Sequence, residues 1–310
     1  MERDEAGTLE SHVTVIIPCF NAEKYIGEAI ESVFSQTYKN WDLIVIDDGS
    51  TDSSLQVVAE LAALRPGQVQ VLSGPNRGAC HARNWGIQVA SGEFIALLDA
   101  DDFWSSQKIE KQIQFLVNKP SVIGVTTGYL LWDRRKSKNT AVRDFHWTRK
   151  ELSNWAMLGP RAPALNSTLL AKREALQAVG GFDEVFFSFA EDLDLGWRLA
   201  SFGALESIGG VLTTIRLSPD QNHHNSDEML SGMATFFKKI APLEPTLAVK
   251  GVMNLGVYRT LVRIGRGQPT AIAHLLPKLI FRNPLAFARF LSARVFWPKG
   301  VMQGLVTSSM

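Results

Sequence analysis

The chain has 310 residues, 45% of them hydrophobic, including 17 Phe and 8 Trp, which is enough for one large domain or two small ones with a substantial core. Two cysteines, Cys19 and Cys80, are too few for a disulfide framework and fit a reducing compartment. No window of about 18 uninterrupted apolar residues predicts a membrane-spanning helix, and the polar, acidic residues 1–12 are unlike a signal peptide.

The net charge of +1 conceals an uneven distribution. Residues 246–310 contain nine Lys or Arg and no Asp or Glu, whereas the preceding 245 residues carry 23 basic and 31 acidic groups, a balance of −8. A basic C-terminal segment on an acidic body favours an anionic partner for that segment. Because the segment is also rich in apolar residues and the predicted sheet edge is acidic, we expect no nucleic acid partner.

The first 130 residues alternate apolar runs with amphipathic patterns, as strands and helices do in turn. Apolar residues from Ala22 to Phe34 recur at helical spacing, which predicts a first helix with Asn21 as its N-cap. The predicted strands are Val13–Ile17, Leu43–Ile46, Val69–Leu72 and Phe94–Leu98, and the further helices are Leu55–Leu64, Ala79–Ala90 and one through Ile109, Ile113 and Leu116. This alternation predicts an α/β fold, a doubly wound and mostly parallel sheet with flanking helices.

The spacing of apolar residues is irregular from Tyr129 to Leu165 and becomes regular again after Leu165. It predicts a strand at Asn166–Ala171, a helix at Arg173–Val179, a helix at Glu191–Phe202 and a strand at Val211–Leu217. After about Ser226 the pattern is helical to the end, interrupted by prolines. We therefore expect a first domain at 1–225, with halves at about 12–128 and 129–225, and a basic, apolar, helical C-terminal region at 226–310.

The apolar run Phe94–Leu98 ends in three carboxylates within four residues, Asp99, Asp101 and Asp102. Burying unpaired charge is costly, and like charges this close repel unless a cation lies among them. Because Mg²⁺ binds to one or two carboxylates together with substrate phosphates, one interpretation is a metal–diphosphate site at a strand end. The other interpretation is an acidic helix N-terminus.

Unusual residues follow the other predicted strands as well, and in open parallel sheets ligands bind beyond the carboxyl ends of the strands. The residues concerned are Pro18, Asn21, Asp47, Asp48 and Arg83. An aspartate of this set can accept a hydrogen bond from a base or ribose, and the arginine can pair with a diphosphate. A turn aspartate and a solvated helix arginine are the alternatives for each residue alone. Because the carboxyl ends of all four predicted strands carry such residues and lie at one edge of the sheet, together they favour a nucleotide site.

A second acidic cluster, Glu191 and Asp192 with Asp194, opens a predicted helix. Acidic residues are favoured in a first helical turn by the dipole alone. The alternative is a general base, because a sugar hydroxyl is a poor nucleophile at neutral pH and needs a positioned carboxylate. Further along, His223 and His224 lie in a polar stretch and either complete a metal shell or are exposed loop histidines.

Taken in order, six segments resemble glycosyltransferase family 2, whose members are inverting enzymes with the GT-A fold. The segments are V-T-V-I-I-P-C-F-N (13–21), V-I-D-D-G-S-T-D (45–52), N-R-G-A-C-H-A-R-N-W-G (76–86), L-L-D-A-D-D (97–102), G-G-F-D-E (180–184) and E-D-L-D-L-G-W-R-L (191–199). The resemblance covers about residues 12–217. It implies a catalytic domain in which residues 12–128 bind the nucleotide sugar and residues 129–225 the acceptor.

The resemblance also implies individual roles. Asp47 or Asp48 binds the nucleoside, usually uridine. Asp99 and Asp101 form a D-x-D motif, in which Asp101 is the principal ligand of Mg²⁺ or Mn²⁺ and Asp99 contacts ribose or reaches the metal through water. Asp192 matches the catalytic base, and Glu191 remains its rival.

Departures from the family pattern narrow the implied activity. The Q-x-x-R-W motif of processive members is absent after Asp192, which favours transfer of a single sugar from a UDP-sugar to a hydroxyl acceptor in surface polysaccharide or glycolipid synthesis. One alternative is a sugar nucleotidyltransferase, but that class carries a basic, glycine-rich loop where this chain has Pro18-Cys19-Phe20-Asn21. The other is an inactive carbohydrate-binding protein, against which the retained acidic motifs argue.

The segment Leu275–Trp297 combines apolar bulk with interspersed basic residues, and Lys299 follows it. Pro284 divides it into two helices, each too short to span about 30 Å of hydrocarbon. Basic residues beside Phe and Trp are typical of an interfacial helix. We therefore expect a cytoplasmic protein in peripheral contact with the inner, anionic face of the cell membrane through 275–299. The alternative is that these apolar residues pack on the first domain or on a second subunit.

Overall fold

The computed structural model describes residues 11–133, 140–142, 165–186, 190–217 and 226–245, together with Thr148, Leu247, Ala248, Gly251 and Leu255. The chain divides into two compact units. The first comprises residues 1–152 and 162–224, and the second comprises residues 153–161 and 225–310.

A nine-stranded sheet forms the centre of the first unit, with the strand order β3-β2-β1-β4-β8-β6-β9-β5 and with β7 paired to β6. The strands are β1 (Val13–Cys19), β2 (Trp41–Asp47), β3 (Val69–Ser73), β4 (Phe94–Leu97), β5 (Phe103–Trp104), β6 (Val122–Trp132), β7 (Thr140–Val142), β8 (Leu170–Lys172) and β9 (Ala204–Arg216). The helices are α1 (Ile26–Phe34), α2 (Ser54–Ala62), α3 (Ala79–Val89), α4 (Lys108–Asn118), α5 (Arg173–Ala178) and α6 (Glu191–Phe202). The predicted α/β class and helix-flanked sheet are confirmed.

The N-terminal half of the sheet is parallel, as predicted. Strands β1, β2, β3 and β4 pair in parallel, and every residue of β1 and β4 is buried. Burial on both faces explains why these strands are continuous apolar runs without alternation. The other half is mixed, because β8 enters antiparallel between β4 and β6 while β6 and β9 form a long parallel pair.

Three local predictions were wrong. Asn21 does not cap α1, which begins at Ile26, because residues 22–25 form a tight turn in which the amides of Tyr25 and Ile26 both donate to the Ala22 carbonyl. Pro18 lies inside β1, in register with Ile46, rather than after the strand. Residues Asn166–Thr168 form a 3₁₀ helix, so the strand predicted at Asn166–Ala171 is confined to β8.

The second unit contains the amphipathic helix α7 (Ser226–Ile240), in which Leu230, Met233, Phe236, Phe237 and Ile240 are buried. No helix among the described residues is both long and apolar enough to cross a membrane. His223, His224 and the segment 275–299 lie outside the described residues.

A buried lysine lies at the start of α4, beneath the sheet edge. The Lys108 Nζ donates to Gln112 Oε1 at 2.7 Å and lies 3.9 Å from the centre of the Trp104 ring. Burial lowers the pKa of Lys108 well below its ordinary value, so the unfolded chain binds a proton that the folded chain does not. The free energy of unfolding should therefore fall as the pH drops below the ordinary lysine pKa.

We expect Lys108→Met to remove this pH dependence. Relative to the wild type, the variant should gain more stability at pH 6.5 than at pH 9.5, as measured by urea unfolding at both pH values. Lys119→Met is the matched control, because Lys119 also lies over an aromatic ring, Phe115, but its side chain is half exposed. Equal differences from wild type at both pH values would show that Lys108 is charged in the folded protein.

Candidate active site

The carboxylates of Asp47 and Asp48 organise the loops at the end of β2. The two oxygens of Asp48 accept hydrogen bonds from the amides of Arg77 and Gly78, each at 2.8 Å. Asp47 accepts from the Ser50 amide at 3.2 Å and from the Ser73 hydroxyl at 2.8 Å. Both carboxylates also line an open cleft of about 490 Å³ between the loop 74–78 and α3.

Gly49 allows these two loops to approach closely. Its φ of +78° is in the left-handed region, and a Cβ there would lie 2.8 Å from the Asn76 amide nitrogen. Alanine would therefore be strained and would also push the 74–78 loop away from Asp48.

We expect Gly49→Ala to weaken nucleotide binding and to destabilise the fold by more than Gly67→Ala. Gly67 also has a positive φ, +81°, but a Cβ added there would meet no other atom within 4 Å. Gly67→Ala therefore measures the backbone strain alone, about 1–2 kcal/mol. Urea unfolding and UDP calorimetry of both variants provide the comparison. Equal losses of stability would contradict a close loop contact.

The loop after β1 is fixed against the segment that enters α2. The Asn21 side-chain oxygen accepts from the Thr51 amide at 2.8 Å, and the Asn21 amide donates to the Ser50 hydroxyl at 3.0 Å. Asn21 itself has a φ of +49°. The neighbouring Phe20 ring is 48% exposed. The bonds of Asn21 therefore connect the loop after β1 to the segment that follows Asp47 and Asp48.

Arg83 connects the two acidic motifs. Its side chain, 5% exposed, donates from Nη2 to Asp99 Oδ1 at 2.6 Å, and Nη1 lies 3.7 Å from Glu191 Oε1. The guanidinium also lies 5.1 Å from the centre of the Phe182 ring. The alternative of a solvated helix arginine is thereby excluded. The buried Arg83 guanidinium contacts both the D-x-D motif, at Asp99, and the Glu-Asp pair, at Glu191.

The three aspartates of the strand-end cluster have different environments. Asp102 is buried, and its carboxylate accepts from the Ser167 hydroxyl at 2.5 Å and from the Arg216 amide at 3.0 Å. Its burial, and then the charges of Asp101 and Asp99, raise the pKa of Asp102 well above its usual range. Asp99 pairs with Arg83, while Asp101 is partly exposed.

Ser167 and Arg216 are residues of this site that the sequence did not identify. The Ser167 hydroxyl accepts from the Asp99 amide at 3.1 Å and also donates to Asp102. The 3₁₀ helix therefore fixes the acidic loop 99–102 at both of its ends. Arg216, at the end of β9, donates from Nε to the Asp101 carbonyl at 3.0 Å. Neither residue belongs to a local pattern that a single sequence makes visible.

Glu191 and Asp192, at the start of α6, differ in their partners. Glu191 faces Arg83, whereas Asp192 accepts from its neighbour's amide, Leu193, at 3.2 Å and lies 3.5 Å from the Leu165 amide. Burial, and then the charge of Glu191, raise the pKa of Asp192 to about 7. A pKa near 7 suits Asp192 to proton transfer near neutral pH.

Asp194, the third acidic residue of this helix, is structural. It is buried and pairs with Arg198, whose Nη1 also donates to the carbonyls of Val179 and Gly181 at 2.7 Å. The G-G-F-D-E turn is held from its other side by Asn84 of α3, which exchanges two hydrogen bonds with the backbone of Phe182. These contacts place two separate sequence motifs side by side.

The acidic cluster that follows β4 offers oxygen ligands to a divalent cation. Among the described residues, no group of three His, Cys, Asp or Glu side chains is arranged to hold a metal ion. Beside nucleotides, Mg²⁺ is typically bound by one or two carboxylates, with the remaining ligands from phosphate and water. The cluster Asp99, Asp101 and Asp102 supplies carboxylates of this kind, of which Asp99 and Asp102 already accept hydrogen bonds from Arg83 and Ser167.

Comparison with known proteins gives a family. The profile described as "Glycosyl transferase family 2" matches residues 14–179, more than half of the chain. The chain is 42% identical over 106 residues to UDP-Glc:alpha-D-GlcNAc-diphosphoundecaprenol beta-1,3-glucosyltransferase WfgD of Escherichia coli, which is 34% of this chain and 41% of that relative. The chain spans less than half the length of several such curated relatives.

Solved structures show the same fold. TarS 1-349 of S. aureus, in complex with UDP-GlcNAc, matches 94% of this chain and 82% of its own with a TM-score of 0.62 at 18% identity. The mannosyltransferase PcManGT of Pyrobaculum calidifontis, in complex with GDP-Man and Mn²⁺, matches 97% of this chain and 80% of its own with a TM-score of 0.61 at 20% identity. The GT-A-type architecture expected from the sequence is thus confirmed.

Proposed function

The chain belongs to glycosyl transferase family 2, and from this membership we propose that it is a metal-dependent inverting glycosyltransferase. It moves one sugar from a UDP-sugar to a hydroxyl group of an acceptor in surface polysaccharide or glycolipid synthesis. The family match argues against the sugar nucleotidyltransferase as an alternative.

The observation that carries this proposal is the buried Arg83 guanidinium between Asp99 and Glu191. It gathers the carboxylates proposed for donor binding and those proposed for acceptor activation around one cation. In this proposal Asp47 or Asp48 binds the nucleoside, Asp99 contacts ribose and Arg83 pairs with the diphosphate, with Asn21 in the same donor-binding loops.

In the proposed reaction, the acceptor hydroxyl attacks the anomeric carbon from the face opposite the nucleoside diphosphate. The hydroxyl proton passes to the carboxylate of Asp192, and the electron pair of the broken carbon–oxygen bond leaves with the diphosphate. Asp101 would hold Mg²⁺ or Mn²⁺, with Asp99 beside it and with His223 and His224 as proposed further ligands. When bound, the cation supplies charge stabilisation at the leaving diphosphate.

Support for the donor and the cation comes from relatives. WfgD is named for UDP-Glc, one structural neighbour holds UDP-GlcNAc and another holds GDP-Man with Mn²⁺. A donor-hydrolysis assay tests the proposal: free nucleoside diphosphate is measured for UDP- and GDP-sugars with Mn²⁺ and with EDTA. We expect the protein to release UDP from a UDP-sugar in the presence of Mn²⁺, and we expect EDTA to abolish this release. A chain that binds UDP but releases it from no donor would instead be the inactive carbohydrate-binding protein.

We further propose that the enzyme acts in the cytoplasm at the inner face of the cell membrane, on a membrane-bound acceptor such as the diphosphoundecaprenol-linked sugar for which WfgD is named. The contact is assigned to residues 275–299, with the domain boundary near residue 225. Each Lys or Arg close to an anionic leaflet contributes about 1 kcal/mol to binding.

Replacement of Lys278, Arg282, Arg289 and Arg294 by Gln should therefore abolish co-sedimentation with anionic liposomes. The full-length wild type should co-sediment with anionic liposomes and remain in the supernatant with neutral ones. Binding that is equal for both proteins, or absent in both, would favour packing of this segment on protein.

A further inference from the structure

Arg216 makes two hydrogen bonds to the acidic loop 99–102 of the proposed metal site, one from its side chain and one from its backbone. Its Nε donates to the Asp101 carbonyl and its backbone amide donates to Asp102 Oδ1, each at 3.0 Å. The side chain is 8% exposed. The Arg216 side chain thus binds the backbone of Asp101, while its own backbone binds the side chain of Asp102.

The guanidinium is itself fixed by groups from several elements. Glu28 of α1 forms an ion pair with its Nη2. Three aromatic rings surround it, with their centres at 4.9 Å, 5.0 Å and 5.6 Å from the guanidinium carbon. The rings are those of Trp132, Tyr25 and Phe103 respectively. A planar cation held by an ion pair and three rings has little freedom to turn away from the Asp101 carbonyl.

We propose that Arg216 is a positioning residue for the divalent cation, because it fixes the backbone of Asp101 and thereby the direction of its carboxylate. The inference rests on the proposed function, in which Asp101 is the metal ligand. Groups that orient a metal ligand typically contribute about 10- to 100-fold to metal affinity. A purely structural arginine would affect stability and leave metal affinity unchanged.

The test is a Mn²⁺ titration of the full chain in saturating UDP, in which free Mn²⁺ is followed by electron paramagnetic resonance. Arg216→Gln keeps the hydrogen bond from the backbone amide to Asp102 but removes the guanidinium. We expect about 10- to 100-fold weaker Mn²⁺ binding. Arg216→Lys keeps the charge among the rings without the planar fork and should lie between wild type and Gln. The matched control is Arg198→Gln, which removes another arginine that binds backbone carbonyls and should leave the Mn²⁺ affinity within about twofold.

Equal Mn²⁺ affinity in wild type and Arg216→Gln would overturn the inference while leaving the proposed function intact. A wild type that binds no Mn²⁺ with UDP would overturn both. If Arg216→Gln does not fold, Glu28→Gln takes its place, since Glu28 is half exposed and its loss removes only the anchor of Arg216. We expect severalfold weaker Mn²⁺ binding for Glu28→Gln, and an unchanged affinity would again overturn the inference.

Discussion

Asp101→Ala should abolish both sugar transfer and the metal-dependent part of UDP binding. The two neighbouring carboxylates already accept hydrogen bonds, Asp99 from Arg83 and Asp102 from Ser167 and the Arg216 amide, so neither can fully replace Asp101 as the principal ligand. We expect a loss greater than the roughly 10- to 100-fold that follows removal of a group outside the first ligand shell. Calorimetry of UDP with and without Mn²⁺ measures this loss.

Asp99→Ala is the control for position within the motif. It should weaken metal-dependent UDP binding less than Asp101→Ala, but it leaves the buried Arg83 facing Glu191 alone and should lower the stability of the fold. An Asp101→Ala protein whose UDP affinity still rises with Mn²⁺ as in the wild type would show that the metal ligand is elsewhere.

The N-terminal half of the fold could be predicted because its signals are local. Strands β1, β2 and β4 are short apolar runs, and the helices between them have clear amphipathic periodicity. The motif residues follow these strands directly, so their convergence at one sheet edge follows from parallel pairing alone. This reasoning placed Asp99 and Arg83 at one edge of the sheet, where they form an ion pair.

The second half could be predicted only in part. The helices α5 and α6 were predicted at nearly their observed bounds, but β6 and the first half of β9 were not, because these strands depend on distant partners. Strand β6 contains glycines and threonines without alternation and is stabilised by β9, with register irregularities along the pair. In the 3₁₀ helix, Asn, Ser and Thr side chains compete with strand hydrogen bonding. Ser167 and Arg216 reach Asp102 across 65 and 114 residues of sequence, a separation at which a single sequence carries no pairing signal.

Asp192→Asn should retain donor affinity and lose turnover. The amide is nearly isosteric with the carboxylate but cannot accept the acceptor proton, and removal of a general base typically costs about 10² to 10⁴ in rate. UDP calorimetry and initial rates at saturating donor separate binding from turnover. If Glu191→Gln is the inactive variant and Asp192→Asn is active, the two roles must be exchanged.

The pH profile distinguishes the two residues more sharply. The pKa of Asp192 is raised to about 7 by burial and then by the charge of Glu191, and a base works only when deprotonated, so the wild-type rate should fall as the pH drops below about 7. Glu191→Gln removes the neighbouring negative charge, which lowers the pKa of Asp192 and should move this acidic limb to lower pH. Asp194→Asn, which weakens the ion pair with Arg198 and keeps Glu191 in place, should leave the pH of this acidic limb unchanged. An acidic limb that Glu191→Gln does not move would mean that another group limits the reaction at low pH, since Asp192 cannot keep its pKa when the adjacent charge is removed.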